Sequence, residues 1–470
     1  MNGLRWLCLL TVPMLVNPAL AQSFYFGADL SYVNEMEDCG AVYSEGTTLA
    51  DPYDILHDRG CNLVRLRLWH TPSWYDALND GHRYSDIADV RKSIARAKAR
   101  GMSVLLDFHL SDTWADPSHQ VVPAAWSAVV HQTPVLADSV FNYIYGTLSQ
   151  LAQADLLPDI VQLGNETNRS ILLSQQDNDQ GWSFDADRNV TLLKAAQAAV
   201  DSIEVTYHHT VRTAIHFANP DQVEWYTDQH VSHGYNGFDI IGISYYWQWH
   251  QPVTIGALGQ TVFRLERDHP GKDVMVFETA YPWTTANADA SNNILSAAHP
   301  SYSPLSPANQ MKWMTDLTQT VIDNGGSGVI YWEPAWVSTG CATLWATGSA
   351  WDNATFFDFD GELITDGGVG WMKYPYHFTS TAETQSTTSM IRVWYADQEI
   401  RMMIPEGMYM DFPVSVRSYT IDGRLVDVST ATEASNQIVS VPISFFVGGC
   451  YIVTIADQRG VVGRGLVTVL

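Results

Sequence analysis

The stretch VQLGNETN, residues 161–168, begins as a buried strand and ends as chemistry: Val161 and Leu163 are apolar, Gly164 breaks the run, and Asn165 and Glu166 follow it. A carboxylate brought to the end of a core strand suits a barrel of alternating strands and helices. There the carboxyl-terminal strand ends form the active face, and polar residues collect on it. The rest of the chain repeats the rhythm. Short apolar runs recur at FYFGADL (24–30), CNLVRLRLW (61–69), MSVLLDFHL (102–110), DIVQLGNE (159–166), TVRTAIHFA (210–218), FDIIGISYY (238–246), DVMVFETA (273–280) and GVIYWEPAW (328–336). Between them lie helix-like stretches such as DIADVRKSIARAKARG (86–101), where Ile87, Val90, Ile94 and Ala97 recur at helical spacing and Gly101 ends the pattern. Eight such runs alternating with helices predict an α/β fold, a closed (β/α)8 (TIM) barrel. A doubly wound open sheet is the alternative, but no glycine-rich phosphate loop follows the first run.

The chain's 470 residues leave room for more than the barrel. After about residue 380 the texture changes. TAETQSTTS (381–389) is polar and linker-like, and beyond it IRVWYA, VSVRSYTI, IVSVPISF and CYIVTIA alternate as strands do, with turn residues at Asp422-Gly423 and Gly448-Gly449. The expected domains are a barrel over 22–380 and a small C-terminal antiparallel β-sandwich over 381–470. Residues 1–21 read as a signal peptide: Arg5, the apolar WLCLLTVPMLV, then Ala19-Leu20-Ala21 as a small-x-small cleavage site. That run is short for a membrane span, so cleavage after Ala21 and export are expected, to the medium, the cell surface or the periplasm. Cys8 lies within the apolar run without the small residues a lipid anchor would need.

Charge narrows the function. The formal net charge of −26, from 51 acidic against 25 basic residues, argues against nucleic acid or anionic membrane as partners. The 17 Trp and 22 Tyr suit a core, and flat aromatic faces also suit sugar rings. After cleavage, Cys39, Cys61, Cys341 and Cys450 remain; none forms a CxxC pair, and four thiols allow three pairings.

The strand ends supply the candidates: Arg65 on the second run, His109 on the third, Asn165 and Glu166 on the fourth, His216 on the fifth, Tyr246 on the sixth, Glu278 on the seventh and Trp332 on the eighth. Gln162, Gly164 and Glu166 share one face, as do Gly242, Ser244 and Tyr246. A lone glutamate there is as well explained by an N-cap or an ion pair, and the two histidines by satisfied structural roles. Asp107 is placed to pair with an arginine, and alternation turns Glu333 away from the face of Trp332. Two glutamates closing two strands of one barrel, among aromatics, fit glycoside hydrolysis. One acid protonates the leaving oxygen; the other attacks the anomeric carbon or activates water.

These residues carry a resemblance. EMEDCGAVY (35–43), VRLRLWHTP (64–72), LLDFHLSDTWADP (105–117), QLGNETN (162–168), SYYWQWH (244–250), FETAYPW (277–283), YWEPAW (331–336) and NATFFDFDG (353–361) resemble glycoside hydrolase family 53, the arabinogalactan endo-β-1,4-galactanases. The resemblance covers most of residues 24–375. It implies a retaining enzyme with Glu166 as acid/base and Glu278 as nucleophile, and Glu278 is expected to stay ionised beside Arg65 or the histidines. It implies that Asn165 bonds the sugar 2-hydroxyl, that Arg65, His109, His216, Tyr246 and Trp332 build the surrounding subsite, and that Trp114 is an aromatic wall. Trp247 stands where many relatives have proline, a departure expected to alter the sugar subsites. The expected partner is β-1,4-galactan, cut by a monomer with no cofactor for catalysis. A related barrel enzyme acting on another β-linked polymer such as mannan, and a silent glycan-binding protein, are the alternative readings.

Two further expectations concern loops. Asn287, Asp289, Ser291 and Asn293 alternate within TANADASNN, and alternate oxygen-bearing residues can wrap a hard cation. Some bacterial members of the resembled family hold calcium there through Asp, Asp, His and Asn, with a serine and an aspartate that correspond to Ser349 and Asp352. Here Asn replaces the first Asp and Ser the His, so a structural calcium is expected to bind weakly. Cys39 and Cys341 follow the first and eighth runs, which become neighbours when a barrel closes, and are expected to pair, leaving Cys61 free. The C-terminal module resembles the sorting domains of proteins exported by the type IX route, in RSYTIDGRLV, GGCYIVTI and VVGRGLVTVL; glycan binding is its rival role.

Overall fold

The computed structural model describes residues 24–378 throughout and, beyond them, 389–390, 392–396, 399–404, 412–420, 425–434, 437–442, 449–457 and 460–469. The leader, the linker-like residues 381–388, the turn at Asp422-Gly423 and residue Gly448 lie outside the described residues. The chain divides into two compact units between residues 379 and 380.

In the first unit the eight apolar runs become eight parallel strands: β1 (Tyr25–Asp29), β2 (Leu63–Leu68), β3 (Ser103–Phe108), β4 (Ile160–Leu163), β5 (Arg212–Ala218), β6 (Ile240–Ser244), β7 (Asp273–Thr279) and β8 (Gly328–Tyr331). Each pairs with the next, and β8 returns to β1 with Val329 opposite Phe26, closing the barrel. Strands β2, β4, β6 and β8 are buried at every residue, which is why they read as unbroken apolar runs. Helices α1 (Val33–Asp38), α2 (Pro52–Asp58), α3 (Ile87–Lys98), α4 (Thr133–Gln153), α5 (Gln175–Asp179), α6 (Ala186–Tyr207), α7 (Val223–Ser232), α8 (Ile255–Asp268) and α9 (Pro307–Asp323) lie between and around them. Their starts follow local rules. Asp86 accepts from the Ala88 and Asp89 amides to open α3, and Ser306 accepts from Asn309 to open α9. Along α3, Val90, Ile94 and Ala97 are buried.

Inside the barrel, Leu63, Leu105, Ile160, Ala214, Ile240, Met275, Phe277 and Ile330 form one apolar layer. Two residues further along the strands, the same inward face carries Arg65, Asp107, Gln162 and His216, and β6, past Gly242, adds Ser244 four residues beyond Ile240; all five polar residues are buried. Alternation therefore stacks a polar layer directly on an apolar one. A side chain at Gly242 is impossible, because a Cβ there would lie 2.2 Å from the Phe277 ring.

Strand β7 breaks the alternation at one place. Ile243 faces Val276 but Ser244 faces Glu278, and on the other side Val329 faces Val276 but Tyr331 faces Thr279. One extra residue is thus inserted at Phe277–Glu278. Phe277 stays in the apolar layer while Glu278 is turned into the barrel mouth, the kind of re-aiming that β-bulges produce.

The second unit holds a five-stranded sheet, of Ser389–Met390, Gly460–Val469, Gly449–Asp457, Val414–Thr420 and Leu425–Ala431 in spatial order, and a three-stranded sheet of Arg392–Ala396, Glu399–Met403 and Ile438–Pro442. Ile400, Met402, Val439 and Val441 of one sheet and Val414, Val416, Val453 and Ile455 of the other share one core. One pairing departs from the antiparallel expectation: Ser389 and Met390 run parallel to Gly463 and Arg464 at the sheet edge.

Candidate active site

The polar layer is organised by Arg65. Its Nη1 lies 2.8 Å from Asp29 Oδ2 and 2.8 Å from Glu278 Oε1, its Nη2 donates to Asp107 (2.7 Å) and Asn165 Oδ1 (2.8 Å), and its Nε donates to Gln162 Oε1 (3.0 Å). A fully buried guanidinium so surrounded is a fixed positive post, since desolvation is offset only by charge pairing and complete hydrogen bonding. Asp107 is the arginine partner the sequence suggested and also lies 3.1 Å from His109 Nε2. His109 Nδ1 accepts from the Trp69 indole and the Ala115 amide, each at 3.3 Å, which assigns the proton to Nε2. Burial lowers the pKa of His109 and, further, of His216, so both are neutral imidazoles. His216 Nε2 lies 2.9 Å from Ser244 Oγ and its Nδ1 2.8 Å from Asn165 Oδ1. Asn165 also donates to the Ala115 carbonyl at 2.7 Å.

Two carboxylates stand over this layer. Glu278 receives the Tyr246 hydroxyl on Oε2 at 3.1 Å and Arg65 on Oε1. Glu166 leaves β4 through Gly164 (φ +88°) with its own φ at +44°, a left-handed conformation that costs a non-glycine residue on the order of 1 kcal/mol or more and that is kept at functional sites. Carboxylate oxygens of Glu166 and Glu278, with a ring nitrogen of His216, lie within 4.8 Å of one another. That approach matches the about 5–5.5 Å between the carboxyls of retaining glycosidases, not the about 6.5–9.5 Å that leaves room for an inverting water.

Electrostatics separates the two acids. The Glu166 pKa is raised well above the usual carboxylate range, first by desolvation and then by the Glu278 charge. Glu278 is raised by burial too, but Arg65 and the Tyr246 hydroxyl pull it back down. The shared proton therefore belongs on Glu166. Paired acids whose environments push them apart in this way divide into an acid and an anion.

The two glutamates line a cleft of about 900 Å³, together with Asn165, Tyr246, Trp114 and Trp332. Trp114 is held from behind by Arg67, whose guanidinium lies 4.3 Å from its ring. Arg65, His109 and His216 sit beneath the floor and act through the residues above them. Further cleft residues escaped singling out: Trp249, Trp336, Trp345, Trp351 and His119. Trp249, Trp336 and His119 stand in or beside quoted motifs, whereas Trp345 and Trp351 lie in the irregular loop after β8, where no periodicity marks an inward residue. Trp247 does not line the cleft; its ring packs on His299 at 4.3 Å, because it follows Tyr246 by one position and points the other way. Glu333 is also turned from the cleft, 3.5 Å from Arg67 Nη1.

The loops after β7 and β8 are knotted beside the cleft. Asp289 Oδ1 accepts from the Ser291 amide (2.6 Å), and its Oδ2 accepts from the Ser349 amide (2.8 Å) and the Ser338 hydroxyl. Asp352 accepts from the Ala288 amide (2.8 Å) and Asn293 Nδ2 (2.7 Å). Asn287 Oδ1 accepts from the Asp289 amide at 3.2 Å, and Ser349 Oγ donates to the Trp336 carbonyl at 2.6 Å. All six expected ligand residues are thus in one cluster. Asn293 Oδ1 is buried there with no hydrogen-bond partner, and burial and the Asp289 charge both raise the Asp352 pKa. An orphaned carbonyl oxygen beside two close carboxylates fits a hard cation. Across the barrel seam, Cys39 and Cys341 form a disulfide with Cα atoms 5.6 Å apart, and Cys61 is a buried free thiol.

Comparison with known proteins points the same way. The model of "Glycosyl hydrolase family 53" matches residues 25–366. An arabinogalactan endo-β-1,4-galactanase of Cellvibrio japonicus is 44% identical over 340 residues, covering 71% of this chain and 86% of the relative. The family 53 glycoside hydrolase catalytic domain of Ignisphaera aggregans superposes with a TM-score of 0.66 at 32% identity, over 77% of this chain and 98% of that one. Fungal β-1,4-galactanases give a TM-score of 0.61 at 26% identity, over 74% and 99%.

Proposed function

The chain belongs to glycosyl hydrolase family 53, and we propose that it is a retaining endo-β-1,4-galactanase acting on galactan and type I arabinogalactan. The close approach of Glu166 to an arginine-held Glu278 is the observation that carries this reading. Glu278 attacks the anomeric carbon from below while Glu166 gives its proton to the bridging oxygen, and the leaving chain departs. Glu166, now a carboxylate, takes a proton from water, which breaks the glycosyl-enzyme bond with net retention. Arg65 and the Tyr246 hydroxyl hold Glu278 in line, Asn165 offers its amide to the sugar 2-hydroxyl, and Trp114 and Trp332 supply apolar walls. The test is incubation with linear β-1,4-galactan, mannan and cellulose, reading new reducing ends. Galactan alone should be cut; cleavage of mannan in preference would overturn the substrate assignment.

Catalysis needs no bound cofactor in this scheme. Calcium, where bound, would be held by Asp289, Asp352, Asn293, Asn287, Ser291 and Ser349, and would supply only charge neutralisation that ties the two loops together. Residues 1–21 are read as a cleaved leader, supported by their composition; the exported protein should begin at Gln22 on N-terminal sequencing, and an intact Met1 would contradict this. The C-terminal unit is read as a sorting module, so deletion of 381–470 should stop the enzyme reaching its final compartment while leaving galactan cleavage intact; unchanged delivery would favour glycan binding. No helix among the described residues is long and apolar enough to cross a membrane. We read the enzyme as a monomer, and a larger species in sedimentation would contradict that.

A further inference from the structure

Three aromatic side chains on the barrel's active-face rim take no part in the mechanism above. Trp182 is 38% exposed and Trp225 51% exposed. Trp225 lies in the first turn of α7, just past β5, whose last residue Ala218 lines the cleft. The Phe184 ring is 5.4 Å from Trp225 and 5.2 Å from Tyr226, so Trp225 has a packed neighbour on one side and solvent on the other. Arg169 ties this patch to the cleft. Its guanidinium donates to the carbonyls of Pro117 (3.3 Å) and Ser118 (3.4 Å), which belong to the cleft wall, and to those of Trp182 and Asn178 (3.3 Å each). The Trp182 segment is thereby fixed to the cleft lip, and Phe184, two residues on, reaches Trp225.

The direction of the substrate follows from the chemistry. Glu166 protonates the bridging oxygen, so the departing part of the polymer lies on the Glu166 side. Glu166 shares the cleft lining with Ser118, which Arg169 links to the Trp182 segment, and with Ala218, after which the chain runs into α7 and Trp225. Exposed indoles held by ring packing, on a segment whose backbone is hydrogen-bonded to the cleft lip, offer flat apolar faces at small entropic cost, and the ring C–H face of galactose is the complementary surface.

We propose that Trp182, packed beside His131, and Trp225, backed by Phe184, form a remote binding platform for the leaving-group end of the galactan chain, beyond the cleft itself. The proposal rests on the galactanase reading. Its test compares kcat/KM on long β-1,4-galactan with kcat/KM on an aryl β-galactobioside, whose leaving group is too short to reach the platform. In Trp182→Ala/Trp225→Ala the polymer-to-aryl ratio should fall about 5–10-fold, the size expected for losing aromatic stacking worth about 1 kcal/mol, with an unchanged circular dichroism spectrum. A ratio equal to that of the unaltered enzyme, whether both rates hold or both fall together, overturns the platform. Failure of the unaltered enzyme to cut galactan at all would instead overturn the galactanase reading.

Discussion

Tyr246 donates its hydroxyl to Glu278 at 3.1 Å, and that bond stabilises the charged form of the nucleophile. Activity requires Glu278 ionised and Glu166 protonated, so the acid limb of kcat/KM follows Glu278 and the basic limb follows Glu166. In Tyr246→Phe the carboxylate loses a stabilising donor, its pKa rises further, and the acid limb should move to higher pH by about half to one pH unit. The basic limb, set by Glu166, should move little. A pH profile of the variant checks this; an acid limb moving to lower pH would mean that the hydroxyl does not serve the nucleophile. At this scale the sequence was legible wherever strand alternation could be followed to its end, as with Arg65, His216 and Ser244, whereas Asn165, off the alternating face of Gln162, Gly164 and Glu166, was legible only through the family resemblance. It was illegible at Asp29, a polar residue within an otherwise apolar strand whose partner Arg65 comes from a neighbouring strand that only the fold brings beside it.

Among the elements, β7 shows what pattern reading misses. Met275 and Phe277 both belong to the interior layer, so strict alternation would send Glu278 outward; the inserted residue turns it back into the mouth. The apolar run was plain in DVMVFETA, while the bulge leaves no mark in composition. The loops after β7 and β8 were legible in a different way, through their alternating oxygen-bearing residues, and the structure gathers Asp289, Asn293, Ser349 and Asp352 into one hydrogen-bonded knot. If calcium occupies it, removing calcium leaves two close carboxylates uncompensated. A chelator should then lower the melting temperature by about 1–2 degrees for each kcal/mol of calcium stabilisation lost, the size expected for a domain this large. Asp289→Ala should abolish that sensitivity. A melting curve indifferent to both chelator and added calcium would leave the hydrogen bonds alone holding the loops.

For the whole molecule, closure of the barrel brings together the two ends of the first unit. Helix α1 ends at Cys39 soon after β1, Cys341 follows β8, and the disulfide spans 302 residues of sequence across the β1–β8 seam. A cross-link over so long a loop constrains the unfolded chain strongly, by about 2–5 kcal/mol for native disulfides. Cys39→Ser/Cys341→Ser should therefore unfold at lower denaturant concentration by a corresponding amount; an unchanged midpoint would show that the bond adds nothing to the seam. The eight-run rhythm made this closure legible in advance, because parallel strands joined by helices must cover both faces and eight of them close on themselves. The distance between Glu166 and Glu278 was not legible, since a sequence separation of 112 residues fixes nothing about an approach across the mouth.

That approach, with its division of labour, is tested most directly by the anomeric configuration of a single product. Glu166→Ala, given an aryl β-galactobioside and azide, should still form the glycosyl-enzyme on Glu278, and azide should then enter from the face that Glu166 vacated. Proton magnetic resonance of the anomeric hydrogen should show the β-glycosyl azide, with configuration retained. An α-azide would mean that the nucleophile itself had been removed and that the roles of Glu166 and Glu278 are reversed.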